Sequence, residues 1–162
     1  MGELLTRSMP DRSVTPRAAL QKQGIGLRRG YTTGACAAAA ARAATRALLT
    51  GRAVREICID LPVQRGVLFQ IKRCQLGPGY ASCSVIKDAG DDPDVTHGAE
   101  IVVTVEWQAE PGVVFAAGPG VGVVTKPGLA VEVGQPAINP GPRRMIGQAV
   151  LAELGQIGRG LK

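Results

Sequence analysis

The sharpest pattern along the chain is an alternation with period two. Ile101, Val103, Val105 and Trp107 alternate with Glu100, Thr104 and Glu106, which predicts a strand with one face buried. Ala81, Cys83 and Val85 alternate in the same way with Ser82, Ser84 and Ile86, and Val67, Phe69 and Ile71 with Leu68, Gln70 and Lys72. An apolar run from Val54 to Leu61 stops at Pro62. Further strands are predicted over 113–117, 121–125 and 129–133, separated by Gly118-Pro119-Gly120 and Lys126-Pro127-Gly128.

Two segments read as helices. Thr32-Thr33-Gly34-Ala35-Cys36 runs into alanines and then Arg42-Ala43-Ala44-Thr45-Arg46-Ala47-Leu48-Leu49 before Gly51, which predicts a threonine-capped helix over about 34–49. It places Arg42 and Arg46 on one face, and its small side chains allow a neighbour to approach closely. Near the end, Asn139 can cap, Pro142 suits a first turn, and Met145, Ile146, Ala149 and Val150 recur on one side until Gly155. The order helix, strands, helix predicts an α+β fold, a two-layer sandwich of mainly antiparallel sheet with helices on one face.

With 162 residues the chain fits one domain, and 45% apolar residues supply a core. Its 22 glycines and 11 prolines have no three-residue period, which excludes collagen and predicts many turns. Aromatic residues make 3%, too few for a base-stacking platform. The formal net charge of +6 is concentrated at the start: Arg7, Arg12, Arg17, Lys22, Arg28 and Arg29 are opposed there only by Glu3 and Asp11. Residues 1–26, with Pro10, Pro16 and Gly24 and no periodicity, read as a flexible basic leader, and 27–157 as the folded domain. With the charge in the leader and the rest nearly balanced, nucleic acid is a weak expectation. The sequence has neither a membrane-length apolar stretch nor a signal-peptide core, so a cytoplasmic location is expected. Cys36, Cys58, Cys74 and Cys83 form no C-x-x-C pair and His97 is the only histidine, so no metal site is expected.

Chemistry concentrates in three places. Tyr31-Thr32-Thr33-Gly34 meets a helix start, where free N–H groups and hydroxyls attract a carboxylate or phosphate, or where the threonines simply cap the helix. Lys87-Asp88-Ala89-Gly90-Asp91-Asp92-Pro93-Asp94-Val95-Thr96-His97-Gly98 packs four carboxylates between two strands. A divalent cation, a cationic cofactor such as a sulfonium, or Lys87 and nearby arginines could balance them, or the loop is a polar hairpin. The EF-hand pattern fails at Pro93. Lys126, Arg143 and Arg144 are either carboxylate clamps or ordinary surface charge, and the arginines near a helix start oppose its dipole. Gly120-Val121-Gly122 lacks the strand-turn-helix setting of a dinucleotide site.

Taken together with Gly120 to Leu129 and with Ala137-Ile138-Asn139-Pro140 leading to Arg143-Arg144-Met145-Ile146, these segments resemble the cobalt-precorrin-5B C-1-methyltransferase family of anaerobic cobalamin synthesis. The resemblance implies methyl transfer from S-adenosylmethionine to carbon 1 of a cobalt-containing tetrapyrrole. Beyond what the resemblance implies, Thr32, Thr33 and Gly34 are expected to hold a substrate or cofactor carboxylate, and Lys126, Asn139, Arg143 and Arg144 to bind the substrate. Asp91, Asp92 and Asp94 are expected to face the donor, and Asp88 or His97 to accept the released proton. Members of that family continue into a second, glycine-rich α/β domain, which is not expected within these residues, where the sequence trails off from Gly155 to Lys162. The expectation is therefore an N-terminal part, a half that works with a separate C-terminal domain or chain, or a remnant without catalysis. A non-catalytic module that binds a corrinoid or a partner is the alternative. Deleting residues 1–26 should leave ligand binding intact when the shortened chain is titrated, and loss of binding would move the function into the leader.

Overall fold

A computed structural model describes residues 28–160. The predicted leader lies outside the described residues. Helix α1 spans Thr33–Thr50. Thr32 caps it, its side chain accepting a hydrogen bond from the Ala35 N–H, and Gly51 closes it at φ 64° by donating to the Ala47 carbonyl. Ala35, Cys36, Ala38 to Ala41, Ala43, Ala44 and Ala47 are all buried, so α1 is covered on nearly every side. A helix apolar all round belongs at the centre of a fold, and alanine makes this one thin enough to be surrounded.

Strands β1 (Glu56–Leu61) and β2 (Gln64–Gln70) form an antiparallel hairpin in which Ile57 faces Phe69 and Ile59 faces Val67, all four buried. Strands β3 (Arg73–Gly77), β4 (Tyr80–Ile86) and β5 (Glu100–Glu106) form a second antiparallel sheet in that order. Ala81, Cys83 and Val85 point into the core, with Ile101, Val103 and Val105 beside them. The fold is α+β, as predicted, with the strands divided between two sheets rather than gathered in one.

Other local expectations are corrected. β3 is unpredicted although Arg73-Cys74-Gln75-Leu76 alternates, because only two apolar residues carry the pattern before Gly77-Pro78-Gly79, and the turn at Pro78-Gly79 pairs it with β4. The strands expected over 113–117, 121–125 and 129–133 are absent, and only an isolated bridge between Val123 and Pro136 remains. Their valines have β propensity but no neighbouring ladder, and prolines remove donors on either side. Val113, Phe115 and Val124 still pack inward, whereas Val114, Leu129 and Val133 are exposed.

Helix α2 spans Pro140–Gly160, beyond the predicted stop at Gly155. It lies against α1 through Ile146, Ala149 and Val150. A Cβ on Gly34 would stand 3.1 Å from Pro142, while twelve residues further along α1 Arg46 meets Glu153. The two helices therefore run parallel, and both N-termini open at one end of the domain. Near the other end, Glu153 is 1% exposed and accepts from Arg42 Nε at 2.8 Å and Arg46 Nε at 2.6 Å. Burial pushes the Glu153 carboxyl up, but bonds from Arg46 and Arg42 outweigh it and hold the group below its ordinary value.

A group depressed in the folded state stabilises above its unfolded pKa, about 4.3 for Glu, and that share is lost as pH falls through the folded value. Glu153→Gln should cost about 2–3 kcal/mol at neutral pH, because two guanidinium groups lose their carboxylate inside a packed interface. Urea unfolding at pH 7 and pH 4 checks this, with the gap between variant and parent shrinking at the lower pH.

Candidate functional site

The end where both helices begin is a cleft of about 810 Å³. Thr32, Thr33 and Gly34 form one wall, Gly141, Pro142, Arg144, Met145 and Gln148 a second, and Asp60, Leu61 and Pro62 a third, with Asp94 at the side. In the first turn of α1 the Ala35 N–H is taken by Thr32 Oγ1 and the Cys36 N–H by the Thr32 carbonyl. The N–H groups of Thr33 and Gly34 have no intrahelical acceptor by helix geometry. On α2, Pro140 and Pro142 carry no N–H and Arg143 donates to the Asn139 carbonyl at 3.0 Å, so Gly141 supplies the free amide there. Neither first turn contains an acidic residue. Arg144 adds a cation that pairs with no carboxylate among the described residues. The cleft thus concentrates positive potential on two of its walls.

The acidic loop is organised mainly by pairing within the protein. Lys87, 1% exposed, donates to Asp94 Oδ2 at 2.5 Å, and Thr96 donates to Asp94 Oδ1 through its N–H at 2.8 Å and its hydroxyl at 2.6 Å. The bond from Lys87, followed by those from Thr96, holds the Asp94 carboxyl well below the usual carboxylate range. Asp88 forms a two-point pair with the Arg28 guanidinium, one bond being Nη2 to Oδ1 at 2.9 Å, and accepts from the Gly90 N–H. Arg28 foremost, and then the Gly90 N–H, lower the Asp88 carboxyl to about 2. Asp91 Oδ2 accepts from the Arg28 N–H at 2.6 Å, and no side-chain bond from Asp92 occurs among the described residues. His97 Nδ1 accepts from the Ala89 N–H at 3.1 Å, so in the neutral ring the proton sits on Nε2 and no basic nitrogen is free.

The loop is bolted to the segment that leads into α1. Tyr31 N–H donates to the Asp88 carbonyl at 2.7 Å and Asp91 N–H to the Arg28 carbonyl at 2.9 Å. A Cβ on Gly30 would lie 1.8 Å from the Ala89 carbonyl carbon, and one on Gly90, at φ +66°, would lie 2.1 Å from the Arg28 oxygen. Only glycine permits this crossing of two backbones.

Of the residues expected from sequence, the structure brings Thr32, Thr33, Gly34, Asp94 and Arg144 to one cleft. Asp88, Asp91, Asp92, His97, Lys126, Asn139 and Arg143 do not line it. Arg143 donates to the Ile138 and Pro136 carbonyls at 3.0 and 2.9 Å and lies over the Phe115 ring at 5.3 Å, which anchors the preceding coil to α2. Lys126 and Asn139 are exposed. Sequence reasoning missed Asp60, Leu61, Pro62, Met145 and Gln148. Met145 and Gln148 follow Gly141 at helical spacing, which could have been read; Asp60 reaches the cleft only through the folding of the β1–β2 hairpin.

Fold and site together define an α+β domain with an anion-receptive cleft at the paired N-termini of two parallel helices. The chain belongs to the CbiD family, whose sequence model matches residues 20–161. It is 57% identical over 135 residues to the cobalt-precorrin-5B C(1)-methyltransferase of Salinispora arenicola, an alignment that covers 83% of this chain and 35% of that protein. It is 59% identical over 128 residues to the enzyme of the same name from Leptospira borgpetersenii, covering 79% and 35%, and 54% identical over 138 residues to that of Geobacillus kaustophilus, covering 84% and 37%. The chain therefore spans about a third of the length of these curated relatives. No solved structure matches it. Among the described residues no helix is long and apolar enough to cross a membrane.

Asp94→Asn should lower the stability measurably because it leaves the buried Lys87 ammonium without its carboxylate, whereas Asp92→Asn, which removes no side-chain bond, should leave it unchanged. Urea denaturation of the two variants side by side decides it, and equal costs would contradict the pairing described.

Proposed function

We propose that this chain carries a ligand-binding part of a cobalt-precorrin-5B C(1)-methyltransferase, and that the cleft holds carboxylate groups of the tetrapyrrole. The observation that carries the reading is the convergence of Thr32, Thr33, Gly34 and Arg144 on one cleft at two helix N-termini. A ring-contracted tetrapyrrole bears many acetate and propionate groups. Each needs N–H, hydroxyl or guanidinium donors, and this cleft supplies all three kinds. Leu61, Pro62 and Met145 add apolar surface against which a flat macrocycle can lie. The membership of the chain in the CbiD family and the names of its relatives support the same reading.

The methyl donor of the proposed reaction is S-adenosylmethionine. Its sulfonium methyl passes to carbon 1 of the substrate, the carbon–sulfur bond breaking as the carbon–carbon bond forms, and a proton is then released. Of the carboxylates in the cleft, Asp94 is already neutralised by Lys87, while Asp60 pairs with no cation among the described residues and accepts only the Gly66 N–H at 2.8 Å. Asp60 is thus the residue of this chain assigned to face a cationic donor. Under this reading Asp88, Asp91 and His97 shape the acidic loop rather than move protons, and Lys126, Asn139 and Arg143 act outside the cleft.

The test is a pair of calorimetric titrations into the full chain, one with S-adenosylmethionine and one with a cobalt corrinoid bearing free carboxylates. Micromolar corrinoid binding, about −8 kcal/mol, that weakens with salt and falls about tenfold in Arg144→Gln is expected. Corrinoid binding indifferent to Arg144, or none at all, would reject the cleft as the substrate site. Loss of S-adenosylmethionine binding in Asp60→Asn would support the donor assignment, and unchanged binding would remove it.

A further inference from the structure

The β3–β4 hairpin sets two thiols face to face, away from the cleft and unused by the proposed reaction. Cys74 and Cys83 are register partners. The hairpin closes through the two residues Pro78 and Gly79, so the flanking partners Gly77 and Tyr80 form a hydrogen-bonded pair. Three steps out, the alternation puts Cys74 and Cys83 in a non-hydrogen-bonded position, where opposing Cα atoms stand about 4.5 Å apart. That separation lies within the range a disulfide spans. The sulfurs are 2.9 Å apart and both are free thiols. The Val54 N–H donates to Cys74 Sγ at 3.4 Å and holds that sulfur against its neighbour.

The other cysteines have no such partner among the described residues. Cys36 is enclosed within α1 at 0% exposure, and Cys58 is exposed on the outer face of β1. We propose that Cys74 and Cys83 form an oxidation site at which a peroxide joins the two sulfurs as a reversible disulfide. Cys74 reacts first, because it is half-buried while burial and its neighbour keep Cys83 protonated. The Cys74 thiolate attacks one peroxide oxygen and the O–O bond breaks, leaving a sulfenic acid and a hydroxide that takes up the displaced thiol proton as water. Cys83 then attacks the Cys74 sulfur, expelling the sulfenic oxygen, which leaves with the Cys83 proton as a second water. Two thiols are oxidised and one peroxide is reduced. The link fastens the middle of the hairpin on the sheet that packs against α1.

The experiment treats the fully reduced chain with hydrogen peroxide, alkylates the remaining thiols, and maps peptides without reductant. The expected result is loss of two thiols within one chain, a Cys74–Cys83 linked peptide as the main product, Cys36 recovered alkylated, and reversal by dithiothreitol. Cys58→Ser should leave that product unchanged, since the exposed thiol takes no part. In Cys83→Ser the reaction should stop at a Cys74 sulfenic acid that dimedone traps; should that variant not fold, the map of the parent and of Cys58→Ser decides alone. Recovery of Cys74 and Cys83 both alkylated, whether or not Cys58 has been oxidised, overturns the proposal.

Discussion

The structure depends on the parallel seating of α2 along α1. Parallel helices bring like dipole ends together, an arrangement that needs a close-packed interface to hold it. Alanine along α1 and Gly34 at its start allow that approach, and the Glu153 carboxylate between Arg42 and Arg46 fixes the lengthwise register. One buried carboxylate serves two guanidinium groups, while Arg42 also reaches the Cys58 carbonyl of β1 and Gln156 of α2. Helix pair and first hairpin are thereby tied at one polar node. Sliding α2 by a single turn would break the node and would separate Gly141 and Arg144 from Thr32–Gly34, so the register that satisfies Glu153 also assembles the cleft.

The acidic loop shows how density of charge differs from availability of charge. Four aspartates in twelve residues invited a metal ion, a cationic cofactor or internal pairing. Lys87 takes Asp94, Arg28 takes Asp88, and the Arg28 N–H takes Asp91. These bonds, with the Gly30–Gly90 crossing, make the loop a fastening between the strand sheet and the entry to α1. Its contribution to the cleft is one carboxylate whose charge has already been met.

Much of this was legible along the chain. Thr32, the alanine run and Gly51 state a helix with both ends marked, and the alternation in β4 and β5 places their core faces correctly. β3 was not read, because its alternation rests on Cys74 and Leu76 alone, too short a signal until pairing with Cys83 and Ala81 fixes it as a strand. The valines after residue 112 misled in the opposite direction, since β propensity expresses itself only beside another strand. At the site, the Thr32–Gly34 turn and Arg144 were readable as polar groups at helix starts. Glu153 was not, because a lone acid amid Val150 and Leu154 reveals its role only when Arg42 and Arg46 arrive from another element. Lys87 was readable as a cation that could balance the acidic loop, but nothing local states that its amine is buried.

The balance of charge in the cleft decides which end of a ligand enters first. Two helix N-termini contribute about +0.5 each, and Arg144 adds a full positive charge. Asp94 is offset by Lys87, which leaves Asp60 as the single uncompensated negative group among the lining residues. The sum is positive by about one charge, concentrated on the helix walls, with Asp60 set apart on the hairpin wall. An anionic group is therefore drawn to the helix starts ahead of any cation. A sulfonium that shares the cleft is favoured only on the β1–β2 side, where Asp60 faces it and the ligand's own carboxylates screen it from Arg144. Within the proposed function, substrate carboxylates bound at the helix starts would make the cleft more hospitable to a cationic methyl donor, which orders the two ligands by electrostatics alone.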